Sequence, residues 1–280
     1  MLNPVPLEDE LGDVLEKAMR RAGLTEQELS SRAGVSSSAI GDAINYRSEL
    51  TGEELRRLAG VLGLNEVGVC ALGCGRYPLP ALASLPFCVY PVRMKHGIGV
   101  VNAYIVAECG SNRGVLFDTG PGVEALFAVW PKTIKHLDAI FLTHVEAEHA
   151  GGLKAATERF SAPAAYTPIG TDVPNAAPMG EGARALFRGF RVTAFSTPGH
   201  ASAHNCYLVE GTSAKQGNPL LVSGDLFFAG SVGCAHFCHE RLAANLKRML
   251  GGVPSLTIIA PGHGPMTTAE NELRYNPFVV

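Results

Sequence analysis

Residues 141–152 read FLTHVEAEHAGG. An apolar run ending at Thr143 meets two histidines and two glutamates within six positions, spaced His144-x-Glu146-x-Glu148-His149. The same grammar recurs downstream. The run VTAFS is followed by Thr-Pro-Gly and His200, LLVSG runs into Asp225, and TIIAPG runs into His263. Short apolar runs bounded by Gly-containing turns predict strands. Four of them deliver an imidazole or a carboxylate at the C-terminal end, where loops at a sheet edge build sites. One histidine after a strand is most often a packing residue. Four such coincidences, joined by Glu146, Glu148 and His149, point to a metal site, because imidazole and carboxylate are the ligands that transition metals share.

Composition bounds the rest. A chain of 280 residues suits one large domain, or a small domain joined to a larger one. Hydrophobic residues at 46% against charged residues at 18% predict a packed core and exclude a disordered chain. The net charge of -3 signals neither a nucleic-acid coat nor a membrane surface. No apolar run reaches the roughly 20 residues of a membrane helix, and the opening MLNPVPLEDE is acidic, unlike a signal peptide. Seven cysteines with irregular spacing do not form a disulfide framework, so the expectation is a reduced, cytoplasmic protein.

The first 75 residues follow a helical period, with Leu11, Val14, Leu15, Ala18 and Ala22 recurring at three and four. Thr25 precedes Glu28, and Thr51 precedes Glu54, by the capping-box interval; Gly23 and Gly34 suit helix ends and Ser36 an N-cap. The pattern G-L-T-x-x-E-L-(x)3-A-G-V-S from Gly23 to Ser36 resembles the phage-repressor-like helix-turn-helix family. That resemblance implies a recognition helix over Ser36–Asn45, DNA contact through residues 36–47, and a homodimer with two-fold symmetry. The charge runs the other way: through residue 70, seven Lys and Arg stand against twelve Asp and Glu, and phosphate binding rests on cations. Docking of a protein partner is the alternative role for these helices.

The Gly- and Pro-rich GCGRYPLPALASLP (73–86) predicts a boundary, with a helix-turn-helix domain over 1–75 and a metal domain over 76–280. The second region resembles the metallo-β-lactamase fold superfamily over about residues 85–280. The resemblance rests on Asn102 and Tyr104 in VNAYIV, Asp118 in LFDTG, TPGH at 197–200, GD at 224–225 and PGHG at 261–264. It implies an α/β fold, an αββα sandwich with a dinuclear site at the sheet edge. Glyoxalase II-like hydrolases are similar in TPGH, GDLFFAGSVG and the closing NPF.

Those hydrolases carry His-x-His-x-Asp-His where this chain has Glu146 and Glu148. The flavodiiron proteins, with His-x-Glu-x-Asp-His, are more similar at that spot, although Glu148 is one methylene longer than their Asp and their flavodoxin portion is absent. Carried over, the resemblance gives one metal His144, Glu146 and His200, the other Glu148, His263 and in some relatives His149, with Asp225 bridging. Three carboxylates stabilise a ferric state and weaken each ion as a Lewis acid, so two transition-metal ions are expected, iron favoured over zinc or manganese. Asp118 is expected to orient a ligating histidine and His204 to stand behind the ligands, and both join Asp225 as catalytic candidates. The cluster GCAHFCHE (233–240) is expected to line a pocket or pack; Tyr104 and Tyr207 are candidates for substrate contact. Three functions remain, of which the first two are chemical: an O2-, NO- or redox-responsive di-iron protein governing its helix-turn-helix, or a hydrolase of thioesters, esters or lactones. An interaction protein with an inert site is the third.

Overall fold

The computed structural model describes residues 5–161, 164–212 and 217–280. The chain begins with five helices: α1 Leu11–Ala22, α2 Glu26–Ala33, α3 Ser37–Ile44, α4 Gly52–Leu62 and α5 Glu66–Gly73. Thr25 and Thr51 accept the amides of Glu28 and Glu54, whose carboxylates accept the threonine amides in return, so two donors at each helix start are satisfied. Gly23, Gly34 and Gly63 close α1, α2 and α4 in the left-handed conformation, where a β-carbon is costly. The apolar stripe of each helix turns inward, burying Val14, Leu15, Leu29, Ile40, Leu55 and Leu58.

An irregular segment leads to two six-stranded sheets. The first runs in sequence order: β1 Cys88–His96, β2 Gly99–Ala107, β3 Arg113–Phe117, β4 His136–Phe141, β5 Ala164–Pro168, β6 Ala176–Met179. The second contains β7 Arg184–Phe187, β8 Phe190–Ser196, β9 Asn205–Gly211 and β10 Leu220–Gly224. After the small hairpin β11 Phe227–Phe228 and β12 Ser231–Val232, it is completed by β13 Ile258–Pro261 and β14 Thr267–Thr268. Its order is β14-β13-β10-β9-β8-β7. Outer helices are α6 Val123–Ala128, α7 Ala147–Ala150, α8 Leu153–Arg159, α9 His239–Gly252 and α10 Ala269–Tyr275.

Alternation along the strands explains why they are apolar without interruption. Tyr104, Phe117, Phe141, Tyr207, Val222 and Ala260 point between the sheets into a shared core. Ala103, Ile105, Leu116 and Ile140 point outward beneath α6 and α8. Cys206, Leu208, Leu221 and Ile259 point outward from the second sheet, into a core that also takes in α9, Ala269 at the start of α10 and the N-terminal helices. An αββα sandwich preceded by a small all-α unit is the result.

The cysteine expectation needs correction. Cys88 and Cys109 form a disulfide, with Cα atoms 5.1 Å apart. The cause is register: β1 pairs with β2 so that Cys88 lies opposite Ala107, and Cys109 follows two residues later. The other five cysteines are free thiols. No described helix is long and apolar enough to cross a membrane.

Candidate metal centre

The strand ends deliver their side chains to one edge of the sandwich. His144 follows β4, His200 follows β8, Asp225 follows β10 and His263 follows β13. Glu146 immediately precedes α7, which carries Glu148 and His149. Close approach requires glycine here. A β-carbon at Gly262 would collide with the Asp225 carboxylate, and one at Gly224, whose φ is +50°, would lie 2.7 Å from Thr143 and 2.8 Å from His204 Nε2.

Each imidazole is oriented through Nδ1. His200 Nδ1 donates to the Cys234 carbonyl (2.7 Å) and His263 Nδ1 to the Val100 carbonyl (3.1 Å). Asp118 organises the other two. Its Oδ2 accepts from His149 Nδ1 (3.2 Å) and from the Thr143 hydroxyl (2.9 Å), so that hydroxyl is left to accept from His144 Nδ1 (2.9 Å). All four Nε2 atoms therefore turn lone pairs inward. His144, His149 and His200 Nε2 and Asp225 Oδ1 are buried without any hydrogen-bond partner. Such orphaned acceptors are expensive unless a cation meets them, and this donor set fits one.

Ligand atoms fall into two groups with Asp225 common to both: His144, His200 and Asp225 in one, Glu148, His149, Asp225 and His263 in the other. Glu146 and His149 lie at different depths. Glu146 stands at the rim, 41% exposed, with Oε1 3.2 Å from His200 Nε2 and Oε2 4.0 Å from His144 Nε2, outside the tight first group. His149 is wholly buried and lies within the second group, its Nε2 3.4 Å from Asp225 Oδ1. Glu148 bridges inward and outward, 3.8 Å from His263 Nε2 and 3.2 Å from His96 Nε2.

Charge follows the geometry. Burial opposes ionisation of Asp225, yet the imidazoles of His149, His263 and His144 hold it well below the usual carboxylate range. Burial pushes His144 down to about 4 and, with His144 beside it, His204 well below its ordinary value. Burial also disfavours charge on His149 and is outweighed by Asp225 and Asp118, which raise it well above the ordinary value, so a proton and a metal ion compete for its Nε2 lone pair. His204 sits behind His144, ring centroids 5.3 Å apart, with Nδ1 at 2.7 Å from the Thr197 hydroxyl.

Tyr104 and Tyr207 do not face the site. Both are buried between the sheets, donating to the carbonyls of Pro261 and Leu142, because their strand parity directs them into the core. Asn102 likewise clamps the PGHG loop through the Pro261 and Gly264 carbonyls. In GCAHFCHE, Cys234 and His236 line the cavity above the centre, and Cys238 immediately precedes α9.

Sequence reasoning missed the roof. A cavity of about 360 Å3 over the centre is lined by Glu8, Lys17 and Arg20 as well as by Glu146, Glu148 and His263. Lys17 is pinned by Asp9 and the Val232 carbonyl, so α1 is fixed across the opening. Periodicity along α1 marks its buried stripe but carries no information on what its polar face meets.

The helix-turn-helix surface offers few free cations. Arg47 pairs with Asp42, Arg56 with Glu66 and Arg57 with Glu53. Ser38, Asn45 and Arg47 are exposed on or just after α3.

The comparisons with known proteins follow this division. Residues 15–68 match a helix-turn-helix model, and residues 96–263 match the model described as the metallo-beta-lactamase superfamily. Hydroxyacylglutathione hydrolase of Klebsiella pneumoniae is 33% identical over 164 residues, which cover 57% of this chain and 60% of that protein. The enzyme of that name from Citrobacter koseri is 30% identical over 162 residues, 56% and 60% of the two chains. The alignment thus spans about 60% of the length of these curated relatives. TTHA1623, solved in a di-iron-bound form, is 32% identical with a TM-score of 0.53, covering 68% of this chain and 99% of that one. BLEG-1, a B3 metallo-beta-lactamase, is 25% identical with a TM-score of 0.56, covering 69% and 100%. The superfamily match runs through every strand end from β4 to β13, and the chain belongs to the metallo-beta-lactamase superfamily, with a helix-turn-helix region before it.

Proposed function

We propose that this chain is a dinuclear-metal hydrolase of a thioester or ester whose pocket is roofed by its own helix-turn-helix unit. The observation that carries the reading is the set of inward-facing, unpartnered Nε2 atoms around a shared Asp225, beneath an open cavity. His144, His200 and Asp225 would hold one ion, and Glu148, His149, His263 and Asp225 the other, with Glu146 closing on the His200 side. Two such ions supply Lewis acidity toward a carbonyl and a nucleophile from water near neutral pH. The chain's own part is to fix the ligands: Asp118 through Thr143 and His149, Cys234 and Val100 through their carbonyls. Curated relatives named hydroxyacylglutathione hydrolases support the reaction class, and TTHA1623 in its di-iron-bound form supports iron.

The test is metal analysis of anaerobically purified protein, followed by a panel of thioesters, esters and lactones with zinc-, manganese- and iron-loaded chain. Turnover indistinguishable from buffer with all three metals removes the hydrolase reading. Glu146 and Glu148 favour a second reading, a di-iron centre responsive to O2 or NO. For that reading, aerobic and anaerobic samples differ in visible absorption and in affinity for DNA. A two-fold dimer binding DNA through residues 36–47 belongs to either reading, and light scattering that gives a monomer mass with and without DNA counts against it.

A further inference from the structure

A second cavity, about 150 Å3, lies between α1 and α9 and shares Lys17, Arg20, Cys234 and His236 with the cavity over the metal centre. Its inner wall is apolar, built from Leu242, Ala243, Leu246 and Phe278. Cations stand at the α1 side. Lys17 is committed to Asp9 and the Val232 carbonyl, and Arg21 to the carbonyls of Leu62 and Gly63 while stacking over Phe278. Arg20 differs: its acidic partner is Glu16 at 3.4 Å, and both side chains are more than half exposed, a pairing of little worth in water.

We propose that this cavity binds a small amphipathic anion, a hexyl- or benzene-sized group carrying one carboxylate, with the charge on Arg20 and the tail against Leu242, Leu246 and Phe278. Size sets the tail, since the volume beside the apolar wall is that of a benzene-sized group. The head group follows from charge, because Arg20 presents a guanidinium fork at the mouth and a carboxylate matches it in geometry. Because α1 forms one wall and α9 the other, the occupant touches the helix-turn-helix unit and the metal domain together. The site requires neither a particular metal nor a particular reaction.

The experiment is a chemical-shift titration of full-length, metal-loaded protein with 13C-labelled leucine methyls, using sodium acetate, butanoate, hexanoate and octanoate. Hexanoate is expected to move the Leu242 and Leu246 methyls, with affinity rising about two- to fourfold per methylene up to six carbons and levelling off beyond. Arg20→Gln is expected to weaken hexanoate about fivefold or more while keeping the dependence on length. Ala243→Phe, at a half-buried position facing the space, is expected to flatten the series, and the smaller Ala243→Leu to flatten it in part. Acetate binding as tightly as hexanoate would place the carboxylate on the metals instead and overturn the proposal. So would a length dependence that survives both Ala243 variants in folded protein, or no shift at either leucine.

Discussion

Among single residues, Asp225 and Asp118 divide the work of the centre. Asp225 belongs to both ligand groups, so its loss is felt twice. Asp225→Asn keeps the volume and removes the charge; metal content by plasma emission is expected to fall from about two equivalents to below one, with far-ultraviolet circular dichroism unchanged. Two retained equivalents would mean that another residue bridges. Asp118 touches no open space and acts through His149 and Thr143. Asp118→Ala is expected to weaken metal binding about ten- to hundredfold in chelator competition, the usual scale for a residue that orients a ligand. The positions of these residues were legible in the sequence because a strand end is a local signal. Which acid stands inside was not. Glu146 and Glu148 look alike on paper, and the turn into α7 leaves one at the rim and draws the other in.

At the level of helices and strands, local chemistry and close packing make separate demands. Glu54 caps α4 by accepting the Thr51 amide and hydroxyl, which hold its carboxyl below the ordinary 4.5. A depressed folded value means the cap's contribution is complete above 4.5 and disappears as pH falls through the folded value. Carboxyl NMR should therefore give Glu54 a midpoint below 4.5 that returns toward it in Thr51→Ala. Gly12 poses the opposite question. Alanine improves helix propensity by about 1 kcal/mol, but a β-carbon there would lie 2.6 Å from the Ile44 carbonyl, where α1 crosses α3. Backbone cannot yield as a side chain does, so Gly12→Ala is expected to cost about 1–3 kcal/mol in urea unfolding, and a more stable variant would refute the contact. Caps and strands showed in the sequence because a cap depends on residues three apart and a strand on an unbroken short apolar run. The Cys88–Cys109 bond and the inward turn of Tyr104 and Tyr207 depend on register and parity, which no local pattern displays.

Across the whole molecule, the Gly- and Pro-rich segment suggests two independent units, yet the packing joins them. One hydrophobic cluster runs from Val14, Leu15 and Leu58 through Leu226, Phe227, Leu242 and Leu246 to Phe278. Polar ties follow the same seam: the Asn65 amide donates to the Pro277 carbonyl at 2.8 Å, and its side chain to the Arg274 carbonyl at 3.1 Å. Gly68 is held so closely against the Tyr275 carbonyl that no β-carbon fits between them. Stripping residues 1–75 would expose several large apolar side chains, each worth about 1.5–3 kcal/mol when buried, from a domain whose total stability is about 5–15 kcal/mol. The shortened chain is therefore expected to aggregate on expression. The full chain is expected to unfold in a single calorimetric transition that chelation shifts downward as a whole, because a metal bound only to the folded state stabilises everything that unfolds with it. Two transitions, with the first insensitive to chelator and carrying the helical signal, would show that the seam is too weak to couple the helix-turn-helix to the centre beneath it.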